Sequence, residues 1–282
     1  MIIDCHSHIF PPEIIAHRAS WCIRDAWFGA LYASPKARLS TAEDLIASMD
    51  KAQVTTTCVH AFGWKDTGAG KFHNAYLLDS ARRFPGRILS FAYATPHYIP
   101  ADLALFSGIG EWMPDGQGFS LAHHQQLASV LEAAYLLDLP VLIHTSELTG
   151  HYYPGKGTVY PQLIVALASA FPNNQFIAAH WGGGLPFYEL MPEVRDQLKQ
   201  VFYDTAASSL LYDTAIYPLI EQIGLQHKVL WGSDFPLIRQ ERDIARIHNA
   251  TISATFRDLL LGTNAYTLLS RFLQDAPSDR AE

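Results

Sequence analysis

Eight short runs rich in Val, Ile, Leu and Phe recur along the chain, and stretches with helical spacing lie between them. This rhythm is the signature of repeated strand–helix units, in which each strand returns through a helix to pair parallel to the last. The expected strands are 1–5, 54–60, 88–95, 108–112, 140–145, 176–180, 201–205 and 228–232. Eight is the count a closed barrel needs, and 282 residues suits one such barrel, for which roughly 250 is typical. The fold expected is α/β, a (β/α)8 TIM barrel over residues 1–275 as a single domain, with a short flexible tail at 276–282.

Helix signals fall between the strands. Ser40-Thr41-Ala42-Glu43 reads as a capping box opening a helix with Leu45, Ile46 and Met49 on one face. Further helices are expected over 72–83, stopped by Pro85-Gly86, over 123–137, and from Pro161 to about Phe171-Pro172. Two connections, 9–39 after the first strand and 146–160 after the fifth, exceed the usual 2–6 residues of such loops. Both follow strands, so both are expected over the C-terminal face of the barrel, where active sites of this architecture sit. The first holds Trp21, Arg24, Trp27, Phe28, Tyr32 and Arg38; the second holds His151, Tyr152, Tyr153 and Lys156.

Charge narrows the partners. With 20 Lys and Arg against 27 Asp and Glu, the formal net charge is −7, which argues against a phosphate backbone as ligand. The sequence has no basic amphipathic stretch, no apolar run near the ~20 residues of a membrane helix, and no signal-peptide pattern before Asp4-Cys5-His6-Ser7-His8. The three cysteines form no ribbon or redox motif. The expectation is a cytoplasmic protein acting on a small molecule, with neither nucleic acid nor membrane as partner and a homodimer left open.

The chemistry concentrates at strand ends. Side chains alternate along a strand, so His6 and His8 of His6-Ser7-His8 point the same way and can offer two nitrogens to one metal ion. Alone, an H-x-H pair carries little weight. Four further groups end apolar runs in the same manner: Glu111 after Gly108-Ile109-Gly110, His144 after Val141-Leu142-Ile143, His180 after Phe176-Ile177-Ala178-Ala179, and Asp234 in Gly232-Ser233-Asp234-Phe235-Pro236. Independent core histidines would not all choose the same end of different strands. Imidazole and carboxylate together suit zinc, one or two ions, with manganese or iron as alternatives. Asp204 on the seventh strand is expected to hold a ligand histidine in its tautomer.

This set resembles the amidohydrolase superfamily. The segments His180-Trp181-Gly182-Gly183-Gly184, Gly232-Ser233-Asp234-Phe235-Pro236 and Leu261-Gly262-Thr263-Asn264-Ala265 are similar to its amidohydrolase-related branch, which includes aminocarboxymuconate-semialdehyde decarboxylase. The resemblance implies that His6, His8 and Asp234 hold one ion, that His144 and His180 hold a second, and that Glu111 is shared. Decarboxylases of that branch use one metal and no strand-four carboxylate, so Glu111 departs from their pattern and favours a two-metal hydrolase. Its alternative role is a carboxylate orienting a histidine.

The leading expectation is therefore hydrolysis of a small amide, lactone or ester by metal-activated water. Asp234 is the general base, and His180 shares that role if one ion binds. The runner-up is non-oxidative decarboxylation of a small unsaturated or aromatic acid; a metal-dependent phosphoesterase ranks third. Arg24, Trp112, Tyr152 and Trp181 are the candidate substrate contacts, although a solvated surface charge is the favoured account of Arg24 and core packing accounts for each aromatic equally well. His60 and His97 are expected to hydrogen-bond near strand ends without ligating metal.

Overall fold

A computed structural model describes residues 1–273 of the chain, so the tail expected at 276–282 lies outside the described residues. Eight parallel strands form one sheet in sequential order: β1 Ile3–Ser7, β2 Thr56–His60, β3 Ile88–Ala92, β4 Gly108–Trp112, β5 Val141–Ile143, β6 Phe176–Ala178, β7 Val201–Asp204 and β8 Val229–Leu230. The sheet closes on itself between first and last strands: Cys5 N donates to Trp231 O (2.8 Å), His8 N to Phe235 O (2.7 Å) and Asp234 N to His6 O (2.9 Å). Closure leaves no unpaired edge, which is the physical advantage of a barrel over an open sheet. The strand interior is filled by Ile3, Cys5, Cys58, Phe91, Leu142, Ile177 and Leu230, all buried.

The buried carboxylate of Asp4 ties the seam. It accepts from Ser233 Oγ (2.6 Å), Ser233 N (2.9 Å) and Gln240 Nε2 (2.7 Å), and so pins β1 to the segment that carries Asp234. Helices cover the outside. The helix Ala42–Ala52 buries Leu45 and Met49, as its spacing requires, and ends at Gln53 in the left-handed conformation. Its capping box is one residue later than expected. Thr41 and Asp44 form the reciprocal pair, because the Ser40 carbonyl is already used by Phe10 N (2.8 Å) in an extended link. The helix Thr67–Arg83 begins five residues ahead of the expected 72, where Asp66 accepts from Ala69 N at 2.6 Å.

The two long connections take different forms. Residues between β1 and the helix Ala42–Ala52 fold into three short helices, Pro12–Ala16, Arg18–Arg24 and Ala26–Tyr32, while 146–160 stays irregular. The short helices bury Ile14, Trp21 and Phe28 against Phe62 and Trp64, with Phe28 and Trp64 stacked at 4.9 Å. His73 locks this layer to the barrel: its Nε2 donates to Ile9 O (2.7 Å) while its Nδ1 accepts from Trp64 Nε1 (3.0 Å) and Phe62 N (3.2 Å). Burial lowers the His73 pKa to about 4, so the ring stays neutral and keeps that acceptor.

Candidate metal centre

The six residues His6, His8, Glu111, His144, His180 and Asp234 converge at the C-terminal mouth of the barrel. His6 lies within β1 and Glu111 within β4, while His8, His144, His180 and Asp234 follow β1, β5, β6 and β8. The first strand runs two residues past the expected end, to Ser7, because it pairs on both sides. His6 Nε2 and His8 Nε2 face each other at 3.1 Å, as do His180 Nε2 and His144 Nδ1. Glu111 sits between the pairs. Its Oε1 is 2.8 Å from His144 Nδ1 and 3.6 Å from His180 Nε2; its Oε2 is 3.3 Å from His8 Nε2 and 3.5 Å from His6 Nε2. Asp234 Oδ1 lies 3.7 Å from His8 Nε2 and 3.9 Å from His6 Nε2.

Tautomers follow from the partners. Asp204 Oδ2 takes the proton of His6 Nδ1 (2.8 Å), and Ala206 O takes that of His180 Nδ1 (3.1 Å). Each ring is thereby left with an Nε2 lone pair aimed at the centre. Those lone pairs face His8 Nε2 and His144 Nδ1 at 3.1 Å, a contact that a shared proton or a cation satisfies. The carboxylates set the sign of the field. Burial opposes charge on His6, yet Asp204 and Glu111 outweigh it and hold its pKa well above the ordinary value. For His180, burial is likewise overcome by Glu111 and Asp234, which raise it to about 9. Burial pushes the Glu111 carboxyl up, and His6 and His144 more than reverse it, so the group stays ionised. A site that draws protons onto buried imidazoles is one that attracts a divalent cation, and the donor set fits. Two groups place ligand atoms within 4.8 Å of one another: His6, His8 and Asp234, and His6, Glu111 and His180. His144 reaches the second group through Glu111.

The backbone is strained where it delivers these side chains. His180 (φ 56°) and Asp234 (φ 61°) are left-handed without being glycine, a conformation that costs roughly 1–3 kcal/mol and that persists only when surroundings impose it. Asp204 Oδ1 holds the first through His180 N (2.9 Å), and His6 O holds the second through Asp234 N. Two glycines make room. A Cβ on Gly232 would lie 2.7 Å from His6 Cβ, and one on left-handed Gly183 would strike the Ser146 carbonyl.

A cavity of about 460 Å³ opens over the cluster, with His8, Glu111, His144, His180 and Asp234 in its floor. Its walls are Leu31, Tyr32, Met113, Tyr153, Leu210 and Leu211, and Lys36, Arg38 and His151 bring positive or polar groups to it. None of the four expected substrate contacts lines it. Arg24 is exposed, pairs with Asp66 (2.9 Å) and lies over Trp21. Tyr152 is 83% exposed and turned outward, while its neighbour Tyr153 faces in. Trp112 and Trp181 are fully buried packing residues whose Nε1 groups donate to Ala94 O (2.8 Å) and Ser208 Oγ (2.9 Å). An aromatic beside a strand end reads the same in sequence whether it turns to the cavity or the core. His60 donates to Cys5 O (2.8 Å) beneath the cluster, and His97 is exposed.

A closed parallel barrel with imidazoles and carboxylates gathered at its C-terminal mouth defines a metal-dependent enzyme. A family model described as amidohydrolase matches residues 3–271, and the chain belongs to that family, as an enzyme of the amidohydrolase superfamily. No curated protein sequence matches the chain. Among solved structures, a 5-carboxyvanillate decarboxylase from Novosphingobium aromaticivorans, complexed with manganese and 4-hydroxy-3-methoxy-5-nitrobenzoic acid, aligns with TM-score 0.74 and 19% identity over 96% of both chains. A 2,6-dihydroxybenzoate decarboxylase from Rhizobium aligns with TM-score 0.66 and 17% identity, over 96% of this chain and 98% of the other. A probable 2-pyrone-4,6-dicarboxylic acid hydrolase from Acinetobacter baumannii, with citric acid bound, aligns with TM-score 0.67 and 17% identity, over 95% and 99%. Among the described residues, no helix is long and apolar enough to cross a membrane.

Proposed function

We propose that this protein is a metal-dependent non-oxidative decarboxylase of a small aromatic or unsaturated carboxylic acid. The observation that carries this reading is the cavity itself: a volume of about 460 Å³ with apolar side chains in its lining, the ligand cluster beside them, and Lys36 and Arg38 suit a small carboxylic acid. The architectural likeness to decarboxylases of aromatic acids supports it. It takes the place of hydrolysis as the leading reading. The likeness to a structure complexed with manganese supports a divalent metal other than zinc as readily as zinc.

His6, His8 and Asp234 would hold the metal, with Glu111, His144 and His180 as the further donors. A bound cation would supply positive charge that lowers the cost of placing electrons on the ring. Leu31, Leu210 and Leu211 exclude water around the ring, and Arg38 offers its guanidinium to a second anionic group. Asp234, in the cavity floor, would take a proton from solvent and pass it to the ring carbon bearing the carboxylate. The C–C bond then breaks, its electron pair stays on that carbon, and CO2 leaves. Asp204 and Ala206 O keep the His6 and His180 rings fixed throughout.

Glu111 supports a second reading. Its central place between both imidazole pairs is what a carboxylate shared by two ions requires, and two ions suit hydrolysis of a lactone or ester. A screen of hydroxybenzoates, unsaturated acids and lactones, scoring CO2 release against acid release, separates the two. CO2 from an aromatic acid is the expected result; ring opening of a lactone with no CO2 from any acid overturns the decarboxylase reading.

A further inference from the structure

A second cavity, of about 240 Å³, adjoins the catalytic one, and Arg38 and Leu237 stand in the wall of both. Four arginines surround it: Arg38 from the connection after β1, and Arg239, Arg242 and Arg246 from the start and body of the helix Gln240–His248. Among the described residues, none of the four makes a salt bridge with a carboxylate within 4.0 Å. Arg246 is held in place by Nη2 donating to Tyr212 O (2.7 Å), and its guanidinium lies 5.9 Å from the Tyr217 ring centre. Its Nη1 is buried with no partner. Arg38 is anchored in the same manner by Nη1 donating to Pro236 O (3.4 Å). One acidic side chain, Asp243, lines the cavity, and it accepts from Trp231 Nε1 (2.8 Å) on its buried side.

A buried guanidinium N–H with no acceptor is unfavourable, and four like charges lining one space repel one another. An oxyanion in the cavity would offset the repulsion among the four arginines. Carboxylate and phosphate oxygens match the planar fork of an arginine, and charge-assisted bonds of this kind are the strong ones. The place in the barrel is also apt, since Ser209 and Leu237 belong to the connections after β7 and β8, where barrels often bind phosphate groups.

We propose that this arginine-lined cavity is a binding site for a compact oxyanion, a carboxylate or a phosphate, next to the catalytic cavity. The anion is either the distal group of a molecule that also reaches the metal centre or a separate small ion, and the chemistry of recognition is the same. The inference stands on the arginine geometry alone and does not require the decarboxylase reading.

Calorimetric titration of inorganic phosphate into the metal-loaded protein tests it without turnover, so its outcome is independent of which reaction the enzyme performs. Arg239 and Arg242 are exposed, so the double variant Arg239→Gln/Arg242→Gln keeps the fold; a melting curve checks this, and Arg242→Gln alone replaces it if the double variant unfolds. The expected result is phosphate binding that weakens roughly tenfold or more in the variant. Phosphate binding of equal strength in wild type and variant, or none in either, overturns the proposal. Repeating the wild-type titration with isophthalate at saturation separates the two sources. Displacement of phosphate assigns the cavity to the distal group of a longer ligand, and undiminished binding assigns it to a separate anion.

Discussion

Asp204 Oδ2 lies 2.8 Å from His6 Nδ1, both fully buried, while the other oxygen of the same carboxylate accepts from His180 N at 2.9 Å. One side chain on β7 therefore fixes the ring of a residue on β1 and the strained backbone of another after β6. In Asp204→Asn, an amide hydrogen replaces the acceptor facing His6 Nδ1. The proton must move to Nε2 and block the lone pair that points to the metal. Metal affinity is expected to fall about 10–100-fold, read by competition with a chelator, with the fold kept. Unchanged affinity would remove Asp204 from the metal centre.

Glu111→Gln tests the shared carboxylate. A neutral amide bridges two cations poorly, so elemental analysis is expected to show one ion per chain in the variant against two in the wild type if Glu111 is shared. Equal metal content in both would leave Glu111 as the orienting partner of His144, 2.8 Å away.

Asp234→Asn removes the group assigned to the proton. Turnover is expected to drop about 10²–10⁴-fold, the usual loss for a positioned acid or base. Metal content measured on the same sample distinguishes this from simple loss of the ion, and near wild-type turnover with metal bound would exclude Asp234 as the proton carrier.

Asp243 predicts a pH dependence of stability. Burial raises its pKa from 3.8 to about 6, opposed by the Trp231 hydrogen bond and the Arg246 charge. The folded state therefore binds the proton more tightly than the unfolded chain between those values. Stability falls as pH rises through that window, and the loss is complete above about 6. A shift of about two units corresponds to roughly 3 kcal/mol. Asp243→Asn keeps an acceptor for Trp231 and cannot ionise, so it is expected to be more stable than wild type by about 1–3 kcal/mol at pH 7 and to match it near pH 4. Urea unfolding at both pH values reads the difference; equal stability at pH 7 would refute it.

The periodicity of the chain determined the barrel, because every parallel strand buried on both faces must be apolar and every return must be helical, and both leave their mark in order along the chain. The six convergent side chains were legible for a related reason: strand ends in a closed parallel sheet share one rim, so His6, His8, Glu111, His144, His180 and Asp234 need only follow an apolar run to be placed together. Asp204 was legible too, since it ends β7. The residues that line the cavity were not. Trp112 and Trp181 turn into the core, Arg24 turns to Asp66, and Tyr153 rather than Tyr152 faces the cavity. Those directions are set by loops whose path depends on packing against distant segments, such as the stacking of Phe28 on Trp64 and the bonds His73 makes to Ile9 and Phe62. Arg239, Arg242 and Arg246 share a helical spacing, but that Arg38, about 200 positions earlier, joins them around one cavity is set by the folded loops. Strand order fixes which residues meet at the rim of a barrel. Only the folded loops decide which way the side chains above it point.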